Sequence, residues 1–131
     1  MTYLLDTNAW IHFFAEPHKL SDEVRRVLGK ETVLGLSAIS LIEVSQKVHS
    51  GKLAFSMPVN DWFSIAIPPK RIRLIPVDPA IALEAYNLGP EFHNDPADRI
   101  ITATAKVHGL RLATSDRKLL TYSGMQSLAT R

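Results

Sequence analysis

Short apolar runs alternate with longer amphipathic stretches along the whole chain. The runs have the length of buried strands, and residues that favour turns or helix caps follow them. They predict strands at Tyr3–Leu5, Thr32–Leu36, Arg71–Val77 and Leu110–Ala113, with an edge strand at Met125–Leu128.

The amphipathic stretches predict helices, because several begin at a residue that caps helix N-termini and end at glycine. The clearest has Asp95 as its cap, Pro96 in its first turn and Gly109 as its stop. Two further helices have clear caps: Asp22–Leu28 has Ser21 as its cap and Gly29 beyond its end, and a helix that begins at Pro79 has Asp78 as its cap and stops at Gly89. Another helix begins at Ser37 or Ser40 and stops at Gly51. The full set also includes Ala9–Phe14, Val59–Ile67, Pro96–His108 and Arg117–Leu120.

This alternation predicts a single α/β domain over residues 1–131, with a mostly parallel sheet of four to five strands. Parallel sheets are covered by helices on both faces, which gives three layers. In such sheets, ligands bind outside the carboxyl ends of the strands. Functional residues are therefore expected just after the strands.

Composition narrows the class of protein without identifying its activity. The chain has 46% hydrophobic and 21% charged residues, no cysteine and a net charge of +2. These values are typical of a folded domain, and they exclude disulfides and thiolate zinc sites. No apolar run approaches the roughly 18 residues of a membrane span, and no secretory segment is evident. A cytoplasmic location without membrane contact is expected.

Acidic residues occupy the positions at which a parallel sheet binds ligands. Asp6 and Asp116 follow predicted strands, whereas Glu43 and Asp98 lie in early turns of helices that follow loops. If these side chains converge, their repulsion raises their pKa values unless a cation lies between them. Oxygen ligands without cysteine or paired histidine favour Mg²⁺ or Mn²⁺. Such a site can ionise water and stabilise a phosphodiester during hydrolysis.

Each acidic residue also has a purely structural interpretation. Asp6 and Asp116 can cap the helices that follow them, and Asp98 suits the N-terminal end of a helix dipole. Glu43 can pair with Lys47, four residues later on the same helix. The shared placement of all four residues favours the functional interpretation.

Four segments carry these residues and follow one another along the chain: Leu5–Asn8, Ser37–Glu43, His93–Ala105 and Leu112–Asp116. In this order they resemble the PIN-domain ribonucleases of the virulence-associated protein C (VapC) toxin type. The Asp-Thr-Asn of the first segment is weak evidence alone, but the four together are specific and span nearly the whole domain. The resemblance implies a three-layer α/β/α PIN fold.

The resemblance implies a Mg²⁺- or Mn²⁺-dependent endoribonuclease that is the toxin of a toxin–antitoxin pair. Asp6 and Asp98 would hold the metal that activates water, and Glu43 would orient the metal or accept a proton. Asp116 would complete the ligand set. Members of this family are usually homodimers that a small antitoxin holds inactive. The implied partners are therefore RNA, an antitoxin and a second copy of the chain.

Further residues have supporting roles in this interpretation. The resemblance implies that Asn8 and Thr114 support the cluster through hydrogen bonds. Asp95 caps its helix and is secondary to Asp98 as an acidic ligand. Arg99 forms a salt bridge with Asp98 or contacts substrate phosphate.

Basic and aromatic residues are candidate contacts for RNA and for the antitoxin. The candidate phosphate contacts, which singly are more typical of solvated charges, are Lys47, Lys70, Arg71 and Arg73. Three aromatic residues at helical spacing would belong to the groove that binds the antitoxin in this family, although such a set more often lies in the hydrophobic core: Trp10, Phe13 and Phe14. The histidines lack metal-ligand spacing, and only His93 lies near the acidic segments.

Other functions remain open at this point. A receiver-like or phosphatase-like protein would use Asp6 as a phosphorylated nucleophile, but it leaves Glu43 without a role. A non-catalytic PIN-fold module would bind nucleic acid or a protein partner without cleavage. A nuclease of the same type would act on single-stranded DNA or in ribosomal RNA maturation, and nothing in the chain separates these targets.

Overall fold

The strands form one five-stranded sheet in the computed structural model, which describes residues 1–131. They are β1 (Tyr3–Leu5), β2 (Leu34–Ser37), β3 (Ile72–Ile75), β4 (Arg111–Thr114) and β5 (Ser127–Ala129). Their order across the sheet is β3-β2-β1-β4-β5, and every neighbouring pair is parallel. The predicted parallel sheet is confirmed, and β1 has the predicted bounds.

Helices connect the strands and cover both faces of the sheet. They are α1 (Thr7–Ala15), α2 (Asp22–Gly29), α3 (Ile39–His49), α4 (Val59–Ala66), α5 (Pro79–Glu84), α6 (Pro96–His108) and α7 (Arg117–Leu120). The structure adds a 3₁₀ turn at Pro17–Lys19 that the sequence pattern did not predict, and α2 includes Gly29 rather than ending before it. None of these helices combines the length and the apolarity that crossing a bilayer requires.

Successive strand residues point to opposite faces, so the sheet contributes to two separate cores. Leu5 and Ala113 pack with side chains of α1, α2 and α4 on one face. Leu4 and Leu112 pack with α5, α6 and α7 on the other. The sheet is therefore the middle of three layers, which confirms the expected α/β/α fold.

The predicted end of α5 is wrong. This helix ends at Glu84, well before Gly89. Arg99 Nη1 of α6 donates to the Ala85 carbonyl oxygen at 3.0 Å. The Arg99 side chain thus binds the Ala85 carbonyl, which would accept a backbone N–H of the next turn if α5 were longer.

Helix α3 begins at Ile39, between the two serines that were predicted to start it. Ser37 Oγ accepts the Ile39 N–H at 3.2 Å, so Ser37 stabilises the first turn although it belongs to β2. Ser40 lies inside the helix, is fully buried and contacts Thr7 of α1 at 2.9 Å between their hydroxyl oxygens. Ser40 therefore links two helices and caps neither.

An aromatic cluster joins α1 to α4. Trp10 is fully buried, and its ring centroid lies 4.7 Å from that of Trp62. Its indole Nε1 donates to the Ala66 carbonyl oxygen at 2.7 Å, which satisfies an acceptor at the end of α4. Phe55 stacks on the other side of the cluster, 4.1 Å from Trp62.

We expect Trp10→Phe to lower the free energy of unfolding by about 1–3 kcal/mol more than Trp62→Phe does. The reason is that Trp10→Phe leaves the buried Ala66 carbonyl without its hydrogen-bond donor. Both variants remove the same volume from one cluster, and the Trp62 indole makes no hydrogen bond that is lost. Urea denaturation followed by circular dichroism measures the difference. Equal losses would show that this hydrogen bond contributes nothing to stability.

Candidate active site

The four acidic residues identified from the sequence line one shallow cleft at the carboxyl ends of the strands. Asp6 follows β1 and Asp116 follows β4, which are paired neighbours in the sheet. Helices α3 and α6 bring Glu43 and Asp98 to the same edge. The cleft encloses about 50 Å³ and is lined by Asp6, Thr7, Asn8, Glu43, Lys47, Asp98, Ile101 and Asp116.

Asp6 is the most buried of these carboxylates, with 7% of its surface exposed. Its Oδ1 accepts the Ala9 N–H at 2.7 Å and caps α1. Burial raises the pKa of Asp6 to about 6; hydrogen bonds from Thr114 and Ala9 oppose the rise, while the charges of Asp98 and Asp116 add to it. Asp6 thus caps α1 and also has a carboxylate whose pKa is raised.

Glu43 is held by α1 rather than by its own helix. The Glu43–Lys47 ion pair of the structural interpretation does not form, although Lys47 lines the cleft. Instead, Thr7 Oγ1 donates to Glu43 Oε1. A hydroxyl has one hydrogen, so Ser40 must donate to Thr7. Burial raises the pKa of Glu43, and the bond from Thr7 partly offsets that rise.

Asp98 is paired with a residue that sequence reasoning left without a role. His93 Nε2 is hydrogen-bonded to Asp98 Oδ2 at 2.7 Å. Burial raises the pKa of Asp98, and this hydrogen bond lowers it in part. The only signal in the sequence was the position of His93 just before the Asp95 cap, from which a loop residue can fold back over the first turn of α6.

Asp116 and Asp95 act as helix caps within the site. Asp116 Oδ1 accepts the Lys118 N–H at 2.9 Å, which caps α7. Asp95 Oδ1 accepts the Asp98 N–H at 3.1 Å, which caps α6 as predicted. The charge of Asp95 also raises the pKa of Asp98, so Asp95 lies near the site without lining the cleft.

The two residues assigned supporting roles differ in their contacts. Thr114 is buried at the end of β4, and its Oγ1 accepts the Asp116 N–H at 3.0 Å. Its hydroxyl also lowers the pKa of Asp6, so it contacts two members of the cluster. Asn8 is exposed and lines the cleft, but no hydrogen bond joins its side chain to a carboxylate.

The expected salt bridge between Arg99 and Asp98 is absent. Arg99 points away from the cleft and donates to the carbonyl oxygens of Ala85 at 3.0 Å and Phe92 at 3.1 Å. Its guanidinium also lies over the ring of Phe92, 5.6 Å from the centroid. Arg99 therefore anchors the loop that carries His93, and it is not placed to contact substrate.

Most candidate RNA and antitoxin contacts lie away from the carboxylates. Lys70 and Arg71 precede β3, so they are at the amino end of a parallel sheet, opposite the cleft. Arg73 is an exposed residue on that edge strand. Trp10 is fully buried and belongs to the core, which leaves the partly buried pair Phe13 and Phe14 as the surface part of the predicted stripe.

The donor set fits a hard divalent cation. The clustered carboxylates offer only oxygen, burial raises the pKa values of Asp6, Glu43 and Asp98, and a bound cation would relieve their repulsion. Each carboxylate is already oriented by a protein hydrogen bond. As the side chains stand, no three acidic or histidine residues converge closely enough to hold an ion, so binding requires rotation of the carboxylates.

Comparison with known proteins identifies relatives over almost the whole chain. Residues 3–124 match the family model described as PIN domain. Ribonuclease VapC22 of Mycobacterium tuberculosis is 33% identical over 121 residues, which are 92% of each chain.

Solved structures share the fold at lower identity. DNA-bound VapBC from Salmonella typhimurium superposes with a TM-score of 0.75 at 18% identity, over 100% of this chain and 99% of that chain. A toxin–antitoxin complex from Klebsiella pneumoniae gives a TM-score of 0.67 at 19% identity, over 99% and 98% of the two chains. At this identity the similarity concerns the fold alone.

The raised pKa of Asp6 predicts a pH dependence of stability in EDTA. A carboxyl whose pKa is higher in the folded state stabilises the fold while protonated, below its unfolded value of 3.8, and this contribution is lost as the pH rises through about 6. The free energy of unfolding of the wild type should therefore fall relative to Asp6→Asn between pH 4 and pH 7.5, by about 3 kcal/mol. The variant keeps an oxygen that can cap α1. Parallel pH profiles from urea denaturation would contradict the prediction.

Proposed function

The chain belongs to the PIN-domain family, and from this premise we propose that it is a divalent-metal-dependent endoribonuclease that cleaves RNA phosphodiester bonds. The observation that carries the proposal is the cleft shared by Asp6, Glu43, Asp98 and Asp116. The relative from Mycobacterium tuberculosis bears the name of a ribonuclease and is similar over nearly the whole chain, which supports the same activity here.

Carboxylate oxygens of the cleft would hold Mg²⁺ or Mn²⁺, with Asp6 and Asp98 as the main ligands, Asp116 completing the set, and Glu43 orienting the ion or accepting a proton. When bound, such an ion supplies Lewis-acid stabilisation of the negative charge that develops on the phosphodiester during hydrolysis. Lys47 lines the same cleft and offers a positive charge to a phosphate oxygen.

Glu43 is the best placed residue to accept a proton from the attacking water. Burial raises its pKa above that of an ordinary glutamate, so it is a stronger base than an exposed one. Thr7 donates to Oε1, which leaves Oε2 for the proton. Ser40 fixes Thr7 in turn, so the start of α1 sets the orientation of the proposed base.

We further propose that the protein is the toxin of a toxin–antitoxin pair. One solved neighbour is a toxin–antitoxin complex, which supports a protein partner. On this chain, Phe13 and Phe14 form an edge-to-face pair with centroids 5.1 Å apart, and the Arg71 guanidinium lies 5.9 Å from the Phe13 ring. This aromatic surface is suited to an antitoxin segment that carries apolar side chains.

A homodimer is part of the same proposal. Apolar side chains are more than half exposed on α3, α5 and the turn that follows α5: Ile42, Leu83 and Tyr86. Exposed apolar residues of this size favour burial against a second copy of the chain.

Cleavage of a mixed RNA pool by the purified protein tests the activity. We expect cutting in Mg²⁺ or Mn²⁺, none in EDTA, and a loss of about 100-fold or more in Asp98→Asn, because this change removes a charged ligand from the cleft. Asp61→Asn on α4 is the matched control, since Asp61 is exposed and does not line the cleft. Full cleavage by a folded Asp98→Asn protein, or in EDTA, would contradict the mechanism.

The His93–Asp98 pair predicts a change in metal binding. His93→Ala should weaken Mn²⁺ binding by about tenfold or more, because Asp98 loses the donor that orients it. His93→Gln places an amide nitrogen near the former Nε2 and should restore most of the affinity. Electron paramagnetic resonance of free Mn²⁺ measures binding without catalysis. Wild-type affinity in His93→Ala would show that the pair does not orient Asp98.

A further inference from the structure

A second cleft, of about 400 Å³, lies between the loop before α6 and helix α7. It is lined by Glu91, Phe92, His93, Lys118, Thr121 and Tyr122. Both of its walls are joined to carboxylates of the active site. His93 Nε2 is hydrogen-bonded to Asp98 Oδ2 at 2.7 Å on one side, and the Lys118 N–H donates to Asp116 Oδ1 at 2.9 Å on the other.

These hydrogen bonds make the second cleft a neighbour of the first. Asp98 and Asp116 both line the first cleft, where the scissile phosphodiester would lie. A nucleotide next to that phosphodiester would then lie toward the second cleft.

The walls of the second cleft are rigid on the aromatic side. The His93 ring stacks on Phe92 with 4.7 Å between centroids and 15° between planes. Phe92 is buried and meets the Tyr122 ring edge-on at 5.1 Å. Tyr122 is fixed by its hydroxyl, which donates to the Leu88 carbonyl oxygen at 2.9 Å. A flat ring held in this way is a stacking platform for a base.

The two charged side chains of the second cleft, apart from its histidine, are free to bind a ligand. Lys118 and Glu91 are exposed, and neither side chain forms an ion pair within the chain. A lysine binds phosphate through charge. A carboxylate accepts hydrogen bonds from base N–H groups, and guanine presents two such groups side by side on its Watson–Crick edge, whereas uracil presents mainly acceptors there.

Resting on the proposed ribonuclease function, we propose that this second cleft is the subsite for a guanine nucleotide adjacent to the bond that is cut. His93 stacks on the base, Glu91 accepts hydrogen bonds from its N1–H and N2–H groups, and Lys118 binds the neighbouring phosphate. The subsite adds sequence preference to a catalytic cleft whose carboxylates cannot read bases.

Mapping of cut sites in a random-sequence RNA pool tests this assignment. Glu91→Gln should lower the preference for guanine at one position beside the cut by about tenfold. Lys118→Met should raise KM about fivefold with kcat nearly unchanged, because it removes a phosphate contact. The matched controls are Glu23→Gln and Lys30→Met, two exposed residues at α2 without ion pairs. If the wild type cuts RNA and both test variants behave like their controls, the subsite is refuted while the ribonuclease activity stands.

A binding experiment tests the subsite without catalysis. Amide NMR spectra of the wild-type protein in EDTA are titrated with the four ribonucleoside 5′-monophosphates. GMP should shift the signals of residues 91–93 and 118–122 and bind at least about fivefold more tightly than UMP, and Glu91→Gln should abolish this preference. Equal binding of GMP and UMP, or GMP shifts elsewhere, would overturn the subsite even if the protein cuts RNA. GMP binding at these residues by a protein that cuts no RNA would uphold the subsite and overturn the proposed activity.

Discussion

Burial of carboxylates at one edge of the sheet, to which their mutual repulsion adds, is the constraint that organises this protein. Asp6 is almost fully buried, and the charges of Asp98 and Asp116 add to the cost of ionising it. Each carboxylate is bonded to a donor on its own or a neighbouring element: the Ala9 N–H, the Thr7 hydroxyl, the His93 ring and the Lys118 N–H. These bonds hold one oxygen of each group, and the carboxylates would have to rotate to hold a cation between them.

A structural role and the proposed ligand role are compatible in one residue because a carboxylate has two oxygens and several lone pairs. Asp6 and Asp116 cap helices with one oxygen and still line the cleft with the rest of the group. The same parallel topology that starts α1 after β1 and α7 after β4 brings both caps to one edge. Capping and ligand binding were alternatives only while each residue was considered alone.

Local chemistry made much of this structure predictable, and contacts between distant residues account for what was missed. The bounds of α6 follow from the Asp95 cap, Pro96 and Gly109, all adjacent to the helix. Just after the early end of α5, the Ala85 carbonyl accepts a hydrogen bond from Arg99, which is distant in sequence. The position of the four acidic residues at one edge followed from the parallel sheet. The hydrogen-bond partners of these residues could not be predicted in this way. The Thr7–Glu43 bond, for example, joins two helices and corresponds to no periodic pattern in the sequence.

The central claim is that the folded carboxylate cleft binds a divalent cation that relieves its repulsion. The most direct test is the unfolding temperature of the wild type and of Asp6→Asn in EDTA and in Mn²⁺ at about one hundred times the dissociation constant. A ligand at that concentration stabilises the fold by about 2.7 kcal/mol, which raises the unfolding temperature of a domain of this size by about 5 °C or more. We predict this rise for the wild type and a much smaller one for Asp6→Asn. No rise in the wild type, or an equal rise in both proteins, would contradict the claim.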